Sequence, residues 1–401
     1  MSTSRRARSV SIYMVIVALS LVAIVNPLVL GVLLDLRTAM TAYVLLFDVL
    51  VVGVVVAAVL YIRTGRAAFF RAALIGLPAV PVAMICAELA FGYIRVAHLS
   101  AWRGGGSENL RQPDLALGWV PIPNAEARDV SPGNFDVVYR IDADGRKAVP
   151  PADPALPSLH VFGDSFTFGK GVTNEDTHLN LLAAAYRDRF NVLNYGVGGY
   201  GLEQIFIRFR NASGTVRPGD IVLFTPMSYD LLRSVAFGEV VCAQIFRGEP
   251  GTWRVPVYRD GTWDFVDPHE ACGWLKAVLL AVPEFPAGRL YNRLRHAALL
   301  DDILRNADAI FAQAEALARE RGARFALVFF LHPDECAQGA PNVDIERLTT
   351  PFVSLLGYCP DDPAEIARLR FPSDGHWSPH GHRWAAAALD AILRNRLGVI
   401  P

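Results

Sequence analysis

The sequence predicts an α/β fold, a parallel sheet with helices on both faces, preceded by an N-terminal three-helix transmembrane region. Three observations predict it. Four apolar runs, 159–163, 191–196, 220–226 and 324–331, alternate with helical patterns, the signature of a parallel sheet covered on both sides. Three long apolar stretches, 9–34, 41–62 and 72–94, occupy the first hundred residues. A polar, glycine-containing stretch, AWRGGGSENLRQPD, separates the two regions and reads as a linker.

The N-terminal stretches come first. Residues 9–34 carry no charge, enough to cross a hydrocarbon core that needs about 20 apolar residues. Three full-length spans fit poorly with a cleaved signal peptide. Arg5, Arg6 and Arg8 precede the first stretch, and Arg63, Arg66 and Arg71 lie between the second and third. This asymmetry places the amino terminus inside and everything after about residue 95 outside the cytoplasmic membrane, in a periplasmic or extracellular space. The lipid bilayer is thus an expected partner. Asp48 and Glu88 are ionisable groups within these spans, and no role is assigned to them.

The expected domains are 1–98, three transmembrane helices; 99–112, a linker; and 113–401, the α/β domain with an insertion at about 235–298. In that last domain FDVVYRIDADGRK alternates apolar and polar residues before an Asp-Gly turn, so a strand and turn open it. Residues 301–321 repeat apolar side chains at helical spacing and stop at Gly322. The last helix, 379–396, starts with Ser378 as N-cap and Pro379 at its first position. In the insertion, VPVYRDGTWDFV places Asp-Gly between alternating runs and predicts a hairpin. Its aromatics Trp253, Tyr258, Trp263 and Trp274 suit either sugar stacking or core packing.

Composition narrows function. The net charge of −1 over 401 residues argues against a polyanion as main partner, so nucleic acid is not indicated. Mean hydropathy is +0.29, concentrated in the first hundred residues. Cys86 falls in the third span, and Cys242, Cys272, Cys336 and Cys359 follow it. An even count in an exported domain suggests two disulfides with three connectivities, 242–272 with 336–359 being preferred. Four buried thiols are the alternative.

The chemistry is concentrated in two stretches. LHVFGDSFTFG ends a buried strand by presenting Ser165 at the carboxyl edge of the sheet, beside backbone N–H groups opening a helix. FPSDGHWSPHGHRW supplies His376 in the turn before the last helix, with Asp374 two residues upstream. A histidine can take the serine proton when its other ring nitrogen is held by an acceptor, and a carboxylate does this best. Ser165, His376 and Asp374 are therefore the candidate catalytic residues. His380 and His382 share the last stretch, but Pro379 starts the helix after His376, so the three histidines do not share a helical face. No metal and no cofactor is expected, and His380 and His382 are read as surface residues of the first turn.

These stretches resemble the SGNH (GDSL) hydrolase superfamily over roughly residues 115–396. GDSFTFG is similar to its first block, NYGVGGYG at 194–201 to its second, and DGHWSPHGH to its last. The resemblance implies a flavodoxin-like sheet, Ser165 as nucleophile, and an oxyanion hole made by the Ser165 amide and that of Gly199, with Gly198 as the other choice. The third block departs from the family: TPMSYDLLR has Tyr229 where an asparagine donor is usual, so Ser228 or Tyr229 would supply that hydrogen bond, or two backbone donors suffice. The Asp-x-His-Trp spelling is more like periplasmic polysaccharide O-acetyltransferases. The function implied by the resemblance is that of a serine esterase acting on O-acyl esters, acetyl esters first among them, of an envelope or exported glycan. An O-acetyltransferase with the same triad, fed by a membrane acyl-donor protein, is the alternative, and a catalytically silent carbohydrate-binding module is a second.

Overall fold

The computed structural model describes residues 41–69, 109–150, 153–236, 254–267 and 286–398, with scattered positions between 71 and 93. The chain divides into two compact units. One comprises Met1–His98 and Trp274–Arg295, the other Leu99–Gly273 and His296–Pro401.

In the first unit the helix Thr41–Thr64 covers the second expected span. The three-helix transmembrane region requires correction: among the described residues no helix is long and apolar enough to cross a membrane. Asp48 and Arg63 bracket an uncharged run, 49–62, that rises about 21 Å at 1.5 Å per residue, short of a hydrocarbon core of about 30 Å. Its side chains divide into a buried face, Val51, Val54, Ala58 and Tyr61, and an exposed one that includes Val52 and Val56. The stretch 9–34 and Glu88 lie outside the described residues. Of 72–94 only scattered positions are described, among them an exposed Cys86 thiol.

The second unit opens with two antiparallel hairpins. β1 (Arg111–Asp114) pairs with β2 (Gly118–Pro121), and β3 (Glu126–Ser131) with β4 (Phe135–Arg140). The end of the expected linker is thus already strand. The central sheet is built from β5 (Ser158–Gly163), β6 (Asn191–Asn194), β7 (Ile221–Thr225), β10 (Arg324–Phe329) and β11 (Val353–Ser354), in the order β11-β10-β7-β5-β6, all parallel. Numbered within the sheet this is the 2-1-3-4-5 order of flavodoxin-like folds, whose ligands sit at the carboxyl ends of the strands.

Alternation along the strands sends side chains to two cores. Leu159, Val161, Leu223 and Val328 pack against the helices His178–Tyr186 and Pro379–Ala391. On the opposite face Phe162 meets Phe209 of the helix Leu202–Ala212, and Phe329 meets Phe311 of the helix Pro286–Glu320. Helices therefore cover both faces, as the apolar runs imply.

The insertion contains the expected hairpin, β8 (Val255–Arg259) and β9 (Thr262–Val266). Its turn takes positive φ at both central residues, 49° at Asp260 and 82° at Gly261, as a two-residue hairpin requires. Trp263 stacks on Phe206 with centroids 5.0 Å apart, and Tyr258 is buried. Both are packing residues. Trp253 and Trp274 lie outside the described residues.

Cys336 and Cys359 form a disulfide with Cα atoms 5.5 Å apart, one of the two expected pairs. Cys242 and Cys272 lie outside the described residues.

Candidate active site

Ser165 is placed by the way β5 ends. A Cβ on Gly163 would lie 2.0 Å from Thr167 Oγ1 and 2.8 Å from the Thr225 carbonyl, so only glycine lets β5 run this close to its neighbour. Asp164 then caps the short helix Ser165–Phe168 by accepting the Phe166 N–H at 2.8 Å, and Gly169 closes it at φ 78°. Asp164 is itself held by Arg233 at 3.1 Å, and Arg233 also binds Asp230 at 2.6 Å. Burial and the Asp164 charge push the Asp230 carboxyl up, against the pull of Arg233. Ser165 is left 7 % exposed at the carboxyl edge of the sheet.

His376 reaches that serine from the loop before the last helix. Its Nε2 lies 2.8 Å from Ser165 Oγ, whereas Asp164 Oδ2 is 3.5 Å away. On the other side of the ring, Asp374 Oδ1 is 2.6 Å from Nδ1 and also accepts the His376 backbone N–H at 2.9 Å. That contact assigns the proton to Nδ1 and leaves Nε2 to accept from the serine. The spacing of two residues makes this possible: one carboxylate closes a local turn on the backbone and grips the side chain of the same residue. Burial would raise the Asp374 carboxyl, but its bonds to His376, the imidazole charge and the Lys170 ammonium outweigh it and hold the group well below the usual carboxylate range.

The loop is braced on every side. Phe166 stacks on the imidazole with centroids 5.0 Å apart. The Trp377 indole, fully buried, donates to the Leu331 carbonyl at 3.1 Å. A Cβ on Gly375 would fall 2.4 Å from His332 Nε2, so any side chain between Asp374 and His376 would press on that imidazole. Ser378 caps the helix Pro379–Ala391 by accepting from Gly381 N–H at 3.2 Å.

The neighbouring histidines go elsewhere. His380 pairs with Glu365 at 3.0 Å. His382 is not the surface residue expected: it is buried, with its Nδ1 3.1 Å from that of His178. The three histidines thus serve three separate partners.

The turn after β6 lies against Ser165. Tyr200 N–H closes it onto the Val197 carbonyl at 3.3 Å, and Gly199 takes φ 84°, which a side chain would resist. A Cβ on Gly198 would be 3.5 Å from Ser165 Cβ. The Gly198 carbonyl accepts from the Trp119 indole at 3.2 Å, and because the peptide is trans the Gly199 N–H points away from that tryptophan. Ser228, considered as a further oxyanion donor, instead gives its hydroxyl hydrogen to Glu335 at 2.7 Å. Tyr229 lies with its ring under the Arg233 guanidinium, 4.4 Å from centroid to Cζ.

Sequence reasoning missed the contribution of the hairpins at 111–140. Beyond the Trp119 bond, Tyr200 Oη donates to the Trp119 carbonyl at 2.6 Å. At the other side of the site, Asn134 in the β3–β4 turn accepts the Ser373 N–H at 3.0 Å, and Phe135 packs on Phe371. The entry segment therefore braces both the glycine turn and the histidine loop. Beside the serine lies a small cleft lined by Ser165, Leu110, Ile141, Phe168 and Val197 among others. A tryptophan after glycine in GWVP is the signal the sequence offers, but nothing in it says which carbonyl the indole meets.

No family model and no curated protein matches the chain. Among solved structures it is similar to a member of the lipolytic protein G-D-S-L family from Veillonella parvula, at 15% identity, with 59% of this chain and 98% of that one covered and a TM-score of 0.27. It is also similar to the lipase Lip_vut3 from a goat rumen metagenome, at 11% identity, with 60% and 99% covered and a TM-score of 0.34.

Proposed function

We propose that the chain is a serine ester hydrolase of the SGNH type, working through an acyl-serine intermediate. The observation that carries this reading is the unbroken line from Ser165 Oγ to His376 Nε2 at 2.8 Å and from His376 Nδ1 to Asp374 at 2.6 Å. Ser165 Oγ attacks the ester carbonyl as Nε2 takes its proton; the imidazolium is stabilised by Asp374 and then protonates the leaving alkoxide. The amides of Ser165 and Gly199, with Gly198 the other choice for the second, receive the developing oxyanion. Water, activated by the same histidine, releases the acid and restores the serine.

The Cys336–Cys359 disulfide supports work in an oxidising compartment, since such bonds are rare where thiols are kept reduced. A hydroxyl acceptor in place of water would turn the same intermediate into acyl transfer.

A neutral organophosphonate tests the reading on the full chain. It labels Ser165, located by peptide mass spectrometry, and the label is lost in Ser165→Ala and slowed in His376→Ala. Absence of labelling in a folded chain would reject both hydrolysis and transfer.

A further inference from the structure

The turn that lies against Ser165 contains a peptide able to face two ways. Tyr200 N–H closes it on the Val197 carbonyl at 3.3 Å; Gly198 keeps a negative φ while Gly199 takes 84°, the signs of a type II turn. Rotating the Gly198–Gly199 peptide by about half a turn gives type I and exchanges the faces to which its carbonyl and N–H point. A side chain at the third position usually decides between the two, because it resists positive φ. Here that position is glycine, so both states are open to the backbone.

What chooses is Trp119. Its indole N–H donates to the Gly198 carbonyl at 3.2 Å, from a buried side chain whose own carbonyl accepts from Tyr200 Oη at 2.6 Å. The bond draws the carbonyl toward β2 and so sets the Gly199 N–H on the opposite side. Among the described residues neither the Gly198 nor the Gly199 N–H has a protein acceptor. A flipped peptide would put a carbonyl oxygen where that N–H now stands and would leave the buried indole N–H unpaired, which is costly. We propose that Trp119 is a positioning residue for the oxyanion: it latches the Gly198–Gly199 peptide with its N–H toward the tetrahedral intermediate. By polarising the carbonyl it also makes that N–H a stronger donor. The inference rests on the esterase reading and selects Gly199 over Gly198 as the second donor.

The full-length chain is compared with Trp119→Phe and with benzothienylalanine in place of Trp119, which keeps the shape of the ring and lacks only its N–H. Steady-state rates are measured with 4-nitrophenyl acetate, and inhibition with 1,1,1-trifluoroacetone, whose adduct with Ser165 carries an alkoxide where the oxyanion forms. In both variants kcat falls about 10- to 100-fold, approaching the loss of one oxyanion donor. KM stays within about threefold, and the inhibition constant of the ketone rises by the factor lost in kcat/KM. Loss of packing alone would not tie the two together, and melting curves of each variant accompany the kinetics. Gly199→Ala, whose side chain favours the flipped peptide, costs as much by itself, and Trp119→Phe added to it costs little more. Unchanged ketone inhibition in the benzothienylalanine variant, or fully additive losses at positions 119 and 199, would overturn the proposal. A wild-type chain that neither turns over the ester nor takes the phosphonate would sink the esterase reading and the latch with it, whereas an active chain indifferent to the indole N–H sinks the latch alone.

Discussion

Asp374 Oδ1 holds both the backbone N–H and the ring Nδ1 of His376, at 2.9 and 2.6 Å. A single carboxylate oxygen thereby fixes where the loop turns and which way the imidazole faces. One residue thus has two effects, and they can be separated by substitution.

Asp374→Asn retains an oxygen for the backbone turn but loses the charge that stabilises an imidazolium and selects the tautomer. kcat for a simple ester is expected to fall by about 10³- to 10⁴-fold, the scale seen when a triad acid is neutralised elsewhere. KM stays within a few-fold, because the group does not touch substrate. Steady-state kinetics with 4-nitrophenyl acetate check this.

Gly375→Ala puts a methyl group against His332 Nε2, 2.4 Å from where the new carbon would sit. The neighbour is an imidazole braced as the cap of the helix Pro333–Gln338, so the loop gives way and carries His376 off line. Activity falls by about 100-fold or more, given how steeply rate depends on placement. His332→Ala in the same chain makes room and restores a large part of it. A double-mutant cycle on kcat gives a coupling well outside experimental error; additive losses would count against this geometry.

Acid should loosen the domain through a pair of histidines the mechanism does not use. His178 is pushed down to about 3 by burial and then by the Lys147 charge, and His382 well below its ordinary value by burial and by His178. In an unfolded chain both take protons near 6.5. Between that value and about 3 the unfolded state binds more protons than the folded one, so stability declines as pH falls, at about 1.4 kcal/mol per pH unit for each proton. Urea midpoints drop from pH 7 to pH 4.5, and the drop shrinks when His178→Asn and His382→Gln are combined.

Much of this architecture was legible because buried parallel strands are continuous apolar runs. β5, β7 and β10 read directly for that reason, whereas β11, Val353–Ser354, is two residues long and leaves no pattern. The Asp-Gly turn of the β8–β9 hairpin and the Ser-Pro start of the last helix were equally plain, since each demands a particular backbone. Ser165, His376 and Asp374 were found from the acceptor that a serine-activating histidine needs. Partners far apart in sequence escaped: Trp119 with Gly198, Asn134 with Ser373, Gly375 with His332. Residue type does not encode which distant atom it will touch. Burial of His382 was missed because a polar side chain in a first helical turn gives no sign of the second histidine stacked on it. Apolar composition likewise suggested membrane spans, where the apolar run of the helix Thr41–Thr64 is broken by Asp48.

The most direct measurement is the mass of the protein itself during turnover. Full-length chain mixed with 4-nitrophenyl acetate and quenched in acid within the first turnovers should carry one acetyl group, mapped to the peptide containing Ser165 and missing in Ser165→Ala. Release of 4-nitrophenol with no acyl group ever trapped on that serine, or with the group found on another residue, would contradict the account.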